Sequence, residues 1–229
     1  MLFTSLEFLV LLTATFSIYW HLPKRGQTIL LLVASYVFYG WWDWRFLGLI
    51  VLSSIVDFVA GSGIFRANTG AKRRCWLGLS LGVNLGVLGL FKYFDFFSRS
   101  LANGLAAFGY EVDAVTLDWV LPVGISFYTF QTLSYTIDIY RGSAEPHGDL
   151  LEFFTFVAFF PQLVAGPIER AQNLLGQFGS ERSFDWDDAS NGLRQILWGL
   201  FKKVVIADTL ATYVDAAYSS PEASGSTLL

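Results

Sequence analysis

The segment 120–141 is long enough to cross a lipid bilayer, yet it carries polar and helix-perturbing residues inside an apolar run. These residues are Pro122, Gly124, Ser126, Gln131, Ser134 and Tyr135. Lipid tails cannot exchange hydrogen bonds with such side chains, so in a membrane helix they must face other protein or a water-filled cavity. The segment is therefore the first candidate for the wall of a functional site.

Apolar runs recur along the whole chain. They are the segments 3–20, 28–42, 46–65, 75–91, 119–137 and 153–168, with a seventh at 193–218 that Lys202, Lys203 and Asp208 interrupt. A spanning helix needs about 20 largely apolar residues, so the pattern predicts an all-α, polytopic membrane bundle of six to seven spans, forming a single membrane domain over residues 1–229. The seventh run fits an amphipathic interfacial helix equally well, and the aromatic segment 93–108 is a candidate re-entrant or half-buried helix.

Charge and reactive residues exclude several classes of protein. Charged residues make up only 15% of the chain, too few for an ordinary soluble surface. The net charge of −4 provides no basic surface for nucleic acid. The single cysteine, Cys75, allows no internal disulfide, and no Cys/His cluster predicts a metal site. Neither a phosphate-binding loop nor a dinucleotide fingerprint is present, so no bound cofactor is expected.

Basic loops predict the orientation of the chain. Lys24 and Arg25 follow the first run, and a cluster from Arg66 to Arg74 follows the third. Both loops lie on one side if the intervening helices cross, and the positive-inside rule assigns that side to the cytoplasm. The N-terminus is then extracytoplasmic. Counting spans also places the acidic loop 138–152 on the cytoplasmic side.

Two features inside the apolar runs concern helix packing. Gly78, Gly82 and Gly86 recur every four residues, with Ser80 and Asn84 at the same spacing nearby, which predicts a face where another helix approaches closely. Asp57 lies in the third run, where a carboxylate costs about 2.5–3.5 kcal/mol on insertion scales. We expect it to be protonated, paired or facing a cavity, and a structural hydrogen bond is favoured over a functional role.

A second unusual segment, 159–170, contains Pro161 and Pro167, each of which removes a backbone donor. Gly166 permits a sharp bend before Pro167, and Gln162 adds a buried amide. The segment is either a kinked span end or a broken helix beside a cavity. In the second case, segments 120–141 and 159–170 would face one another across a shared cavity. The two histidines, His21 and His147, fall in an interfacial loop and a flexible polar turn, where neither is expected to be catalytic.

Three ordered motifs carry a resemblance to a known family. They are LPVGISFYTFQTLSYTIDIYRG, FFPQLVAGPIER and GLFKKVVIADTLA, preceded by MLFTSLEFLVLL and YVFYGWWDWRFLGLI. Together they resemble the membrane-bound O-acyltransferase family, and within it the bacterial alginate O-acetyltransferase branch, whose relatives include the D-alanyl transferase of teichoic acid. The resemblance implies a multi-pass enzyme of the bacterial inner membrane that transfers acetyl groups from a cytoplasmic thioester to hydroxyls of an exported polysaccharide such as alginate. The donor implied is acetyl-CoA or an acyl-carrier thioester, and the partners implied are the lipid bilayer and separate periplasmic or extracellular acetyl-transfer proteins.

The resemblance also implies site residues, without a catalytic one. The positions that match the motifs are expected to line a cavity or to break helices: Pro122, Gly124, Ser126, Gln131, Tyr135, Asp138, Pro161, Gln162, Gly166 and Pro167. The family's catalytic histidine lies in a later span, and neither histidine of this chain falls in a matching motif, so the chain is expected to be the N-terminal part of a longer enzyme. Ser126 and Gln131 are candidate donors to a developing oxyanion. A membrane transporter and a non-catalytic membrane scaffold subunit remain as alternatives.

Overall fold

The computed structural model describes residues 1–110, 112–117, 119–164, 166–167 and 169–219. Its helices are α1 (Leu6–Tyr19), α2 (Lys24–Asp43), α3 (Leu47–Arg66), α4 (Gly70–Leu88), α5 (Phe94–Ala107), α6 (Ile125–Arg141), α7 (Leu150–Ala158), α8 (Phe160–Leu163), α9 (Ala171–Gly179), α10 (Trp186–Phe201) and α11 (Asp208–Ser219). Within these ranges no β-strand occurs, so the all-α prediction is confirmed there. Two helical stretches, Lys24–Arg66 and Gly70–Ala107, are long and apolar enough to cross a membrane. The count of six to seven spans remains a prediction.

The chain divides into two compact units, Met1–Glu181 and Arg182–Leu229. In the second unit, α10 and α11 form one continuous helix through a π-helical turn at Lys202–Ala207, and none of its described residues is buried. Lys203 pairs with Asp208 across this turn. The run 193–218 is therefore helical, while its placement in or on a membrane, like the single membrane domain over 1–229, remains a prediction.

Side chains and glycines set several helix boundaries in the first unit. The Ser5 hydroxyl accepts a hydrogen bond from the Phe8 amide at 3.3 Å and starts α1. The Asp149 carboxylate accepts from the Leu151 amide at 2.8 Å and starts α7. Gly142, with φ of 77°, ends α6 in the left-handed conformation that favours glycine. These local signals fix where the helices begin and end, because they satisfy backbone groups that a helix terminus leaves unpaired.

The two basic loops lie at one end of the first unit. The short turn Trp44–Phe46 joins α2 to α3, and Arg73, in the first turn of α4, donates to the carbonyl of Tyr140 near the end of α6 at 2.6 Å. Phe153, in the first turn of α7, packs near Phe58 in the second half of α3, and Thr155 of α7 donates to the Thr28 carbonyl at the start of α2, so the start of α2 and the second half of α3 lie toward the same end of the unit. We call it the basic end, after Lys24, Arg25, Arg66, Lys72, Arg73 and Arg74.

The acidic loop 138–152 also reaches the basic end. Thr155, in α7, donates to the carbonyl of Thr28, near the start of α2, at 3.4 Å. The Lys24 ammonium donates to the carbonyl of Gly179 at the end of α9. The starts of α2 and α7 are therefore neighbours, so this loop lies beside the basic loops, while its placement on the cytoplasmic side remains a prediction.

The close helix contacts of the first unit are made by α3 and not by the glycine stripe of α4. A Cβ on Gly61 would lie 2.9 Å from both the Ile139 Cδ1 and the Tyr135 ring, and one on Gly63 would lie 2.5 Å from the Trp76 ring. In the described chain, a Cβ added at each position of the stripe meets no atom within 4 Å; these positions are Gly78, Gly82 and Gly86. Among the described residues, no helix therefore packs on the three glycines, whereas Ser80 and Asn84, predicted with them, lie on the buried face of α4.

Segment 93–108 does not turn back into the unit as a re-entrant helix. A π-helical turn at Gly89–Tyr93 continues α4 directly into α5, and no residue of α5 is buried. The extra residue of a π turn shifts the helical face without ending the helix. The re-entrant alternative for this segment is therefore not what the structure shows, whereas the half-buried alternative remains a prediction, since residues such as Phe94 and Leu105 are partly buried.

Candidate functional site

The helix that begins at Leu150 breaks at Phe159. Phe159 has ψ of 106°, outside the helical range, and α8 starts at the next residue with Pro161 in its first turn. A proline cannot donate a backbone hydrogen bond, and its ring collides with the carbonyl four residues earlier, in this case that of Val157. The break is thus a direct consequence of Pro161, and it lies within the segment 159–170.

Two buried side chains from other helices replace the backbone hydrogen bond lost at this break. In an uninterrupted helix the Phe160 amide would donate to the Phe156 carbonyl. Instead, the Phe160 amide donates to Ser35 Oγ of α2 at 3.1 Å, and Gln131 Nε2 of α6 donates to the Phe156 carbonyl at 3.1 Å. Ser35 is 0% exposed and Gln131 is 1% exposed, so water cannot substitute for either. We call Ser35 and Gln131 the bracket.

Beyond α8 the chain folds into a tight turn around Gln162. The Gly166 amide donates to the Gln162 carbonyl at 2.9 Å, and Gln162 Nε2 donates to the Pro167 carbonyl at 2.7 Å. A Cβ on Gly166 would lie 2.6 Å from Gln162 Cγ, so only glycine fits this turn. One groove of about 710 Å³ is lined by four of the predicted site residues: Pro161, Gln162, Gly166 and Pro167. These four predicted residues therefore lie together in the structure.

The start of α6 packs directly on α8. Gly124 has φ of 75°, and a Cβ there would lie 3.0 Å from the Leu163 carbonyl oxygen. Pro122, two residues earlier, is buried. Ser126 Oγ accepts a hydrogen bond from Lys92 Nζ at 2.9 Å. The segments 120–141 and 159–170 therefore do meet, through direct contact at α8.

Gln131 is already engaged within the protein. Its side-chain amide donates to the Phe156 carbonyl and does not face a substrate oxygen. The geometry therefore supports a positioning role for Gln131 and not the hypothesis that it donates to an oxyanion. Ser126 Oγ accepts a hydrogen bond from Lys92 Nζ, so its own hydroxyl proton is still free to be donated. Sequence inspection missed Ser35, whose only signal was a polar residue inside the apolar run 28–42.

The remaining candidates, Tyr135 and Asp138, lie toward the basic end. The Tyr135 hydroxyl accepts a hydrogen bond from the His147 amide at 3.1 Å, and the His147 ring bonds Glu152 at 2.7 Å. The Asp138 carbonyl accepts from both the amide and the hydroxyl of Ser143 at 3.0 Å. The expectation of a flexible loop tip at His147 is wrong, since these contacts hold the turn. The other histidine, His21, places Nδ1 2.8 Å from the Ser17 carbonyl at the end of α1.

Asp57 is fully buried between α3, α4 and α6. Its Oδ1 accepts hydrogen bonds from Ser80 Oγ and from Thr136 Oγ1, the latter at 3.1 Å, and its Oδ2 accepts from Asn84 Nδ2 at 2.9 Å. All four residues are 0% exposed. The favoured expectation, a structural hydrogen bond to a buried carboxylate, agrees with this geometry.

Several curated proteins are similar to the chain. The probable alginate O-acetylase AlgI of Pseudomonas putida is 40% identical over 221 residues, which are 96% of this chain and 45% of that protein. The protein of the same name from Azotobacter vinelandii is 41% identical over 222 residues, or 96% of this chain and 44% of that protein. A peptidoglycan O-acetyltransferase of Helicobacter pylori is 32% identical, covering 82% of this chain and 40% of its own length.

The chain thus spans less than half the length of these relatives. No protein-family profile matches it, and no solved structure is similar to it. The similarity nevertheless covers nearly all of the chain, including α6, the bracketed break and the turn after α8. Over 96% of its length the chain is thus similar to alginate O-acetylases, in agreement with the resemblance of its motifs.

Proposed function

We propose that the protein carrying this chain is a membrane-bound O-acyltransferase that acetylates hydroxyl groups of an exported polysaccharide such as alginate. The observation that supports the proposal is the 40% identity to an alginate O-acetylase over 96% of the chain. A further relative is named for acetylation of peptidoglycan, another glycan outside the cytoplasm. These names do not favour the alternatives, a transporter or a non-catalytic scaffold.

In the proposed reaction a sugar hydroxyl oxygen attacks the carbonyl carbon of an acetyl thioester. The carbon–sulfur bond breaks, the hydroxyl proton passes to a general base, and the thiolate finally takes up a proton. We assign no residue of this chain as that base, because His21 and His147 are each held by local contacts at the ends of helices. The family resemblance points instead to a histidine in a later span of the longer enzyme.

The proposed contribution of this chain is a rigid wall for the transfer site. The groove beside α8 is lined by the Gln162 turn together with Phe159, Glu169 and Asn173. Its position depends on the bracket, because Ser35 and Gln131 fix the direction in which α8 leaves α7. Positioning of reactants accounts for a large part of enzymatic rate enhancement and is sensitive to displacements of about 1 Å.

We also propose the membrane placement and the partners. The protein crosses the bacterial inner membrane with six to seven spans in this chain, with its basic end in the cytoplasm and its N-terminus outside. The gathering of the Lys24 and Arg73 loops at one end supports this orientation. The donor is acetyl-CoA or an acyl-carrier thioester on the cytoplasmic side, and separate periplasmic or extracellular proteins complete the transfer to the polysaccharide.

Cys75 provides a direct test of the orientation. It is exposed and follows Arg74 in α4 near the basic end, and the test uses the protein with any cysteine outside residues 1–229 replaced by serine. A membrane-impermeant maleimide should label it in inverted membrane vesicles and not in intact spheroplasts. A Cys75→Ser, Leu2→Cys variant should show the opposite pattern, because Leu2 is exposed beside α1 at the other end. Labelling of Cys75 from outside intact spheroplasts would overturn the orientation.

The function is tested by deleting the gene and measuring O-acetyl groups per sugar in the exported polysaccharide by proton NMR. We expect the acetyl signal to be lost on deletion and restored by the intact gene. Full acetylation in the deletion strain, with no second acetylase gene present, would contradict the proposal. Loss of polysaccharide export with unchanged acetylation of the residual polymer would instead favour the transporter.

A further inference from the structure

The helices α7 and α8 together are too short to cross a bilayer. The apolar helical stretch Leu150–Leu163 rises only about 20 Å at 1.5 Å per residue, whereas the hydrocarbon core of a bilayer is about 30 Å thick. The pattern of apolar runs predicts a span at 153–168. The chain beyond Leu163 would therefore have to continue in the same direction to complete the crossing.

α7 begins at the basic end. Asp149 and Glu152, at the start of α7, line one cavity of about 230 Å³ together with Lys24 and Arg25 at the start of α2. The hydrogen bond from Thr155 to α2 holds the same two helix starts together. The segment that contains the break therefore enters the first unit from this end.

α8 lies toward the opposite end of the unit. A Cβ on Gly124, at the start of α6, would lie 3.0 Å from the Leu163 carbonyl oxygen, and α6 reaches the basic end only at its last turn. Val164 lines a cavity with Trp41 and Trp42, which are near the end of α2. By Val164 the segment has passed through most of the unit.

The chain then returns to the basic end. Gln172 Nε2, at the start of α9, donates to the carbonyl of Ser143, just after the end of α6. The Lys24 ammonium donates to the carbonyl of Gly179 at the other end of α9. A Cβ added to Gly179 would lie 3.6 Å from Glu152 Oε2 in the first turn of α7. The end of α9 therefore lies beside the start of α7.

We propose that the segment from α7 to α9 is a re-entrant hairpin, which enters the membrane at the basic end and returns to that end without crossing. Non-helical backbone is tolerated at membrane depth where it is buried in protein or lines a cavity. The turn around Gln162 meets this condition, since it pairs its own backbone groups and borders a groove. The run 153–168 is then not a span, and a count of six requires that the run 193–218 crosses.

The hairpin determines the side from which the groove beside α8 is reached. The groove lies between the two arms, with Phe159 and Gln162 on the entering arm and the exposed Asn173 and Gln177 on α9. A ligand therefore reaches it from the basic end. This consequence rests on the proposed function and deepens it, because the groove then receives the thioester donor and not the exported polysaccharide.

The test places single cysteines on α9 of the full protein, in a Cys75→Ser background with any cysteine outside residues 1–229 replaced by serine. The probes are Asn173→Cys and Gln177→Cys in the groove and Gly176→Cys, where an added Cβ meets no atom within 4 Å. A membrane-impermeant maleimide is added to inverted vesicles and to intact spheroplasts at equal membrane abundance. We expect the probes to be labelled from the same side as Cys75 of the unaltered chain, whereas a crossing segment would place them on the opposite side.

Labelling of the α9 probes from the side opposite to Cys75, or of none of them from the Cys75 side, would overturn the proposal. Labelling of Gly176→Cys without either groove position would overturn access to the groove from the basic end. Since each probe is compared with Cys75, the result does not depend on which side is the cytoplasm. Acetylation is not measured, so failure of the hairpin and failure of the proposed acetyl transfer are separate results.

Discussion

The bracket around the α7–α8 break makes a quantitative prediction for two single variants. Ser35→Ala removes the acceptor of the Phe160 amide, and Gln131→Leu removes the donor to the Phe156 carbonyl. Both backbone groups lie beside fully buried side chains, so neither gains a water molecule. An unpaired buried polar group costs about 1–3 kcal/mol, and we expect each variant to lower the free energy of unfolding by that amount.

The double variant is the sharper part of this test. With both side chains removed, the Phe160 amide and the Phe156 carbonyl still cannot pair with each other, because Pro161 holds Phe159 at ψ of 106°, outside the helical range. Both groups then stay unpaired, so the loss in Ser35→Ala, Gln131→Leu should be about the sum of the two single losses, or about 2–6 kcal/mol.

The assay is equilibrium unfolding of the purified protein in mixed detergent micelles, followed by tryptophan fluorescence. Ser134→Ala is the matched control, since Ser134 lies three residues from Gln131 and its hydroxyl only bonds the Gln131 carbonyl within the same helix at 2.8 Å. We expect it to change stability by less than about 0.5 kcal/mol. A loss in the double variant no larger than that of either single variant, or single losses no larger than that of Ser134→Ala, would refute the bracket.

Two further predictions concern other parts of the first unit. Gly63→Ala should lower the free energy of unfolding by about 1–3 kcal/mol through overpacking against Trp76. Gly82→Ala, with open space around it, should be neutral or slightly stabilising. The same unfolding assay compares the two variants, and equal effects on stability would contradict the packing described. His147→Gln should keep most of the acetyl transfer, measured as acetyl groups per sugar at matched protein abundance, because the ring pairs with Glu152 and serves no proposed catalytic step. A loss of about a hundredfold or more would assign His147 as a general base.

Local signals in the sequence were enough to locate three of the helices and the break. The apolar runs at 28–42, 46–65 and 75–91 all coincide with helices, because burial and span length depend on composition over a window. Pro161 marks the broken helix, since a proline acts on the four residues before it. These features need no knowledge of distant partners.

Partners far apart in the chain could not be predicted in the same way. Gln131 was singled out as polar in an apolar segment, but its partner, Phe156, is 25 residues away and is a backbone carbonyl. Ser35 meets Phe160 across 125 residues. The glycine stripe of α4 looked like a packing face, whereas Gly61 and Gly63 make the close contacts. Spacing within one helix identifies a face without telling which neighbour, if any, covers it.

If the bracketed break positions the acetyl-transfer site, loosening the bracket must reduce acetylation in the cell. The deletion strain is complemented with Gln131→Leu, Ser134→Ala or the unaltered gene at equal membrane abundance, and the acetyl content of the exported polysaccharide is measured. We expect a clear drop in acetyl groups per sugar for Gln131→Leu and none for Ser134→Ala. Acetylation by Gln131→Leu at the unaltered level would show that the bracket does not position the site.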